Sequence, residues 1–126
     1  MNPTTLRALA AKLQAAPVGS RELDAECALA LGWKNVQSID IFNEIGVHPK
    51  RDFPESLPHW TTSLDASRAL AKEMLPGIMV SSSCYKGGCS ATMWSFFHET
   101  HAATEPLAGM AAILLALAAK IEGEEK

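Results

Sequence analysis

The sequence predicts an α+β domain in which about four helices flank a small antiparallel sheet. Four segments repeat their apolar residues three and four positions apart, which is typical of the buried faces of helices. Two β-rich segments, 78–84 and 89–98, are joined by a short stretch that contains Gly87-Gly88, which is a typical hairpin signal. The length of 126 residues fits one domain.

The first two helices are predicted near the N-terminus. The first covers residues 4–14 with three leucines on one face, and Pro17 excludes helical geometry just beyond it. The second begins after Ser20, whose hydroxyl is a good N-cap, and ends at Gly32, where a C-cap glycine belongs.

The segment between the second and third helices is predicted to begin with strands and to continue as a loop. The alternating Ile39-Asp40-Ile41 predicts a short strand that returns through 45–47. Three prolines then exclude a helix or a central strand from residue 47 to residue 60. A surface loop of this length is often functional, so it is a candidate site. Its expected anchors to the core are Phe53, Leu57 and Trp60.

The third helix is predicted to open after Thr62 or Ser63 and to end at Pro76-Gly77. Its start, Leu64-Asp65-Ala66, repeats the Leu23-Asp24-Ala25 of the second helix. The repeat reflects either a duplicated helix-plus-strand unit or two unrelated helix starts that use the same favourable pattern, a cap followed by an apolar residue and an acid in the first turn. We favour the second interpretation, in which both aspartates serve helix starts and not catalysis.

The fourth helix is apolar on nearly all sides. It is predicted from Thr104 to about Ile121, and the solvated tail 122–126 is expected to fray, so that the domain spans 1–121. Its second apolar surface is covered either by the first helix or by another copy of the chain in a homodimer, and the sequence leaves both open. The interface candidates are Ala108, Ala112, Leu115 and Ala119.

Composition favours a cytoplasmic protein. The net charge of −3 supplies no general attraction to phosphate, which argues against nucleic acid as a partner. The N-terminus lacks the basic and apolar pattern of a secretory signal, and three cysteines cannot all pair within one chain. The longest uncharged run, 106–119, is shorter than the roughly 20 residues that span a membrane.

The best metal-site candidate combines His98 and His101 with Cys84 and Cys89, because zinc binds these residue types. If 89–98 is one extended strand, its ends lie about 30 Å apart, which is too far for a single ion. We therefore predict no metal, cofactor or catalytic residue here. The two cysteines either pair across the turn or stay free thiols, and a reducing cytosol favours free thiols.

The loop carries the second candidate site, a cluster of basic and aromatic side chains. Two cationic groups neutralise little phosphate, so a solvated loop is a better interpretation than a nucleic-acid surface. The binding-loop candidates are His48, Lys50, Arg51, His59 and Trp60.

Three segments, 22–33, 60–66 and 103–108, resemble the phage ABA sandwich domain family of small phage and prophage proteins. The resemblance covers most of 20–119, and its most specific part is the Leu-Asp-Ala to Leu-Gly-Trp start followed by the Thr-Ser-Leu-Asp-Ala helix. It implies an α/β/α sandwich with a small antiparallel sheet, and it names no catalytic residue. This chain departs from the family pattern in an extra Glu105 and in its hairpin cysteines.

These observations predict a small phage- or prophage-derived protein of the bacterial cytoplasm. We expect a non-enzymatic accessory or protein-interaction module whose partner is a phage or host protein. Two alternatives are a metal-binding or hydrolytic protein that uses His98 and His101 with the hairpin cysteines, and a weak nucleic-acid binder that uses the 48–60 loop.

Overall fold

The computed structural model describes residues 1–38, 44–93 and 98–125, and within them the predicted α+β class is confirmed. The helices are α1 Pro3–Ala15, α2 Arg21–Ala30, α3 Leu64–Met74 and α4 Glu105–Glu125. The strands are β1 Lys34–Ser38, β2 Glu44–Val47, β3 Pro54–Ser56, β4 Val80–Tyr85, β5 Gly88–Met93 and β6 His98–Ala102.

Side-chain caps fix where the first three helices begin. The Asn2 carboxamide accepts the backbone N–H groups of the first turn of α1. The predicted cap Ser20 accepts from the Leu23 N–H of α2, and Ser63, not Thr62, accepts from the Ala66 N–H of α3. These bonds satisfy N–H groups that have no partner inside the helix.

Strands β1, β2 and β3 form one antiparallel sheet in that order, with β2 at its centre. The predicted return through 45–47 corresponds to β2, whereas Ile39-Asp40-Ile41 lies outside the described residues. The expected loop 47–60 contains a strand, β3, which begins at Pro54. A proline is tolerated there because β3 is an edge strand. Leu57 and Trp60 are buried as predicted, but Phe53 is 57% exposed, so its predicted anchoring role is wrong.

Strands β4, β5 and β6 form the second antiparallel sheet, again in sequence order. The hairpin of β4 and β5 is confirmed, with Cys84 opposite Cys89 and a positive φ of 112° at Gly87. The prediction of one strand over 89–98 is wrong, because β6 begins at His98 and pairs back along β5. Residues 94–97 lie outside the described residues.

The core is built around α4, which packs against α1, α3 and one face of the second sheet. Alternate residues of β5 are buried toward α4, while the residues between them stay half-exposed. Of the interface candidates, Ala108 and Ala112 are fully buried within the single chain, so their side chains are not exposed to a second copy. Leu115 and Ala119 are half-buried. The described packing therefore follows the alternative in which α1 lies on α4.

Helix α4 extends to Glu125, beyond the predicted end at Ile121, and Glu122 forms an ion pair with Arg7 of α1. Residues 105–123 are long and apolar enough to cross a membrane by length and composition alone. In this chain, however, 61% of the most apolar window is buried against other elements. This burial is what the central helix of a packed core requires.

Candidate functional site

A cavity of about 270 Å³ opens between α3 and the segment that follows β2, and we call it the α3 pocket. Most of its lining is apolar, contributed by one face of α3, the end of α2 and the predicted binding loop. The lining residues are Met1, Leu31, Trp33, His48, Pro49, Lys50, Arg51, Pro58, Trp60, Ala66, Ala69, Leu70, Glu73 and Met74.

Three aromatic rings in the lining of the α3 pocket contact one another edge to face. The ring centroids of Trp33 and Trp60 lie 5.8 Å apart at 82°, and those of Trp33 and His48 lie 5.2 Å apart at 70°. Edge-to-face contacts between rings at these distances are favourable. The two indoles are only 6% and 2% exposed, so the surrounding core holds this wall in place.

His48 joins the two sides of the pocket. Its Nδ1 accepts the backbone N–H of Lys50 at 3.0 Å, and its Nε2 lies 2.7 Å from Oε1 of Glu73 on α3. Because a backbone N–H can only donate, Nδ1 carries no hydrogen here, and Nε2 donates its hydrogen to Glu73. Both ring nitrogens of His48 are therefore engaged within the protein.

The rim of the pocket carries a fixed cation and a free one. Arg51 donates from Nε and Nη2 to the two carboxylate oxygens of Glu55, at 2.8 and 2.7 Å. These hydrogen bonds lower the pKa of the Glu55 carboxyl and raise the pKa of the Arg51 guanidinium. Lys50 is exposed, and its ammonium group makes no ion pair or hydrogen bond with any residue in the described ranges.

A buried polar cluster holds the end of the loop beside the pocket. Arg21 donates to the carbonyl oxygens of Leu57 and Pro58, at 2.9 and 3.3 Å, and to Oδ2 of Asp24 at 2.7 Å. Asp24 is fully buried, and its Oδ1 accepts from the backbone N–H of Thr61 at 2.9 Å. We call Arg21, Asp24 and Thr61 the anchor, because they fix the backbone on both sides of Trp60.

The structure brings four of the five binding-loop candidates together in the α3 pocket: His48, Lys50, Arg51 and Trp60. His59 does not line it; this residue is exposed, and its carbonyl oxygen accepts from Thr62 and Ser63. Trp60 is 2% exposed and meets solvent only through the pocket, so it does not form an exposed platform for successive bases.

The sequence interpretation missed the opposite wall of the pocket, which includes Trp33, Glu73 and Met74. The spacing of residues in α3 could have predicted part of this wall. The wall residues of that helix, Ala66, Ala69, Leu70 and Glu73, are spaced three and four positions apart and so share one face. Nothing in the sequence shows that this face lies opposite the loop.

The second candidate site, at the hairpin, has a different organisation from the one expected. Cys84 and Cys89 form a disulfide, so the predicted free thiols are wrong and neither sulfur is available to a metal. The histidines were expected to lie far from the cysteines along one extended strand. This is also wrong, because β6 places His101 directly opposite Ser90 of β5. His101 is exposed, with Nδ1 3.1 Å from the Tyr85 hydroxyl. The side chain of His98 lies outside the described residues.

The described ranges contain no group of three or more His, Cys, Asp or Glu residues that could hold a metal ion. They do contain a second cavity, of about 370 Å³, between α1 and α2. Its apolar walls include Leu9 and the exposed Leu29, and the Lys12–Glu26 ion pair lies at its side. It lacks the aromatic wall of the α3 pocket, so we regard the α3 pocket as the candidate site.

The state of the cysteines can be counted with a thiol reagent. In protein purified in air without reductant, we expect no reactive thiol in the native state, one after denaturation and three after denaturation with reduction. Cys27 is buried, and this burial raises the pKa of its thiol, which keeps it protonated and unreactive. Two reactive thiols in the native protein would contradict the disulfide.

A scan of protein-family models, a search of curated proteins and a search of solved structures each give no match to this chain. The resemblance to the phage ABA sandwich domain family therefore rests on the three sequence segments and stays a prediction.

Proposed function

We propose that this protein is a non-enzymatic binding module that accepts an apolar group in the α3 pocket. The observation that carries the proposal is a preformed, mostly apolar cavity with a fixed aromatic wall. Pockets of this composition, with few polar groups, are typical of binding sites for apolar ligands. An apolar cavity of roughly 150 Å³ binds benzene, so about 270 Å³ admits a ring with a short substituent.

The chemistry of the lining supports binding over catalysis. None of the described lining residues carries a hydroxyl or thiol that could act as a nucleophile. His48 is the natural general base, but Lys50 and Glu73 occupy its two ring nitrogens. The side chains of His48, Glu73 and Arg51 are therefore engaged in contacts within the protein.

The pocket combines a rigid side with an adaptable one. Trp33 and Trp60 are fixed by the core, whereas Met74 is half-buried and belongs to the most adaptable apolar residue type. A fixed aromatic wall reduces the entropy that binding must overcome.

The biological setting is part of the same proposal. The three segments that resemble phage proteins support a phage or prophage origin, and the composition supports the bacterial cytoplasm. In that setting the bound group belongs to a partner protein or to a small molecule of the phage or its host.

The proposal is tested with 3-phenylpropanol, a neutral probe with one ring and a short chain. We expect the indole N–H signals of Trp33 and Trp60 to shift on titration, with a dissociation constant of about 1 mM, as suits ten heavy atoms. Ala69→Phe fills the pocket from α3 and is expected to weaken binding at least tenfold.

The matched control is Ala11→Phe, which places the same ring on an exposed position of α1 away from the pocket. This variant is expected to bind the probe like the wild type. Unchanged binding by Ala69→Phe, or equal losses in both variants, would contradict the assignment of the site.

A further inference from the structure

The charges at the rim of the α3 pocket are unequally compensated. Arg51 is held in a two-bond ion pair by Glu55, and Glu73 accepts the hydrogen of His48 at 2.7 Å. The positive charge of Arg51 also acts on Glu73. Both carboxylates at the rim thus accept hydrogen bonds from the protein, Glu55 from a cation and Glu73 from the His48 ring.

Lys50 is the exception. Its backbone N–H is bound to Nδ1 of His48 at 3.0 Å, which fixes the start of its side chain at the edge of the pocket. Its ammonium group pairs with no side chain in the part of the chain that the structure describes. An ammonium group on a flexible stem can turn toward a ligand without breaking an existing contact.

We propose that the α3 pocket selects an apolar group that carries a carboxylate, and that Lys50 is the residue that selects it. The inference rests on the proposed function, since it names the class of ligand for the same pocket. The apolar part lies against Trp33, Trp60 and α3, and the carboxylate meets Lys50 at the rim. A carboxylate gains the ammonium group of Lys50 as a partner, whereas a cation finds Glu55 paired with Arg51 and Glu73 already hydrogen-bonded to His48.

A free aryl carboxylic acid and the C-terminal residue of a partner protein share this chemistry. Both present an apolar side group and a carboxylate a few bonds apart. The pocket volume of about 270 Å³ accommodates one apolar side group with its carboxylate, but not a peptide of several residues.

Three probes with one skeleton isolate the effect of charge: 3-phenylpropionate, 3-phenylpropanol and 3-phenylpropylamine. At low salt we expect the carboxylate to bind about threefold to fivefold more tightly than the alcohol, as suits one exposed ion pair. The amine is expected to bind more weakly than the alcohol. Salt at 0.5 M should reduce the preference, because it screens exposed charges.

Lys50→Gln is expected to abolish the preference, so that the carboxylate and the alcohol bind this variant with equal affinity. Lys34→Gln is the control, because Lys34 is exposed on β1 and does not line the pocket. That control should keep the full preference for the carboxylate.

The outcomes separate this inference from the proposed function. If the alcohol binds and the carboxylate binds no more tightly, selection by Lys50 is wrong and the binding module stands. If none of the three probes binds, both fail. Tighter binding of N-acetylphenylalanine than of 3-phenylpropionate identifies a protein C-terminus as the source, and the reverse order identifies a free acid; both orders support the inference.

Discussion

Replacing Asp24 by alanine is expected to lower the free energy of unfolding by about 3–5 kcal/mol, as when one partner of a buried ion pair is removed. The carboxylate is fully buried and binds both the Arg21 guanidinium and the Thr61 backbone N–H. Without it, a mostly buried cation and a buried N–H lose their acceptor. For a domain of ordinary stability this loss is a large part of the total.

The sequence itself supplies the control for this variant. Asp65 occupies the equivalent position in Leu64-Asp65-Ala66, in the first turn of α3, and it is exposed. Asp65→Ala therefore loses only the interaction with the helix dipole, about 0.3–1 kcal/mol. Urea unfolding followed by tryptophan fluorescence measures both losses. Similar small losses in the two variants would contradict the role of the anchor.

Gly19→Ala is the second variant with a large expected effect. A Cβ at this position would lie 1.9 Å from the carbonyl oxygen of Thr61 and 2.5 Å from its carbonyl carbon. These are backbone atoms, so the clash cannot be removed by a side-chain rotation. The chain before α2 would have to move away from Thr61. We expect a loss of at least about 1–3 kcal/mol, which is the usual range for overpacking.

Gly123→Ala is the matched control, since a Cβ at Gly123 meets no atom within 4 Å. This position lies in α4, where alanine is favoured over glycine, so the control is expected to be neutral or stabilising. Thermal unfolding of both variants measures the difference. If Gly19→Ala melts at the wild-type temperature, the close approach to Thr61 is wrong.

The features that sequence predicted well depend on neighbouring residues. Ser20 and Ser63 cap their helices through bonds that span three positions, so their residue types suffice to identify them. The hairpin turn required a residue that accepts positive φ, and Gly87 supplies it. The predicted loop residues likewise lie close in the chain, and four of the five share the α3 pocket.

The features that sequence missed depend on pairing across distance. Segment 89–98 contains no glycine or proline, so nothing local separates β5 from β6. Strand β3 exists because it adds to the edge of β2, a pairing that its own composition does not favour. Asp24 and Asp65 have matching local sequences, but only Asp24 meets an arginine and a threonine in the core. The wall formed by Trp33 and Glu73 follows from the packing of α2 and α3 around the loop.

The most direct test of binding in the α3 pocket is the set of intermolecular NOEs between 3-phenylpropanol and the protein. We expect the ring protons of the probe to contact the Met74 methyl group and the ring protons of Trp33 and His48, which line the pocket together. NOEs confined to Leu9 and Leu29 would place the probe in the cavity between α1 and α2 and would contradict the proposed site.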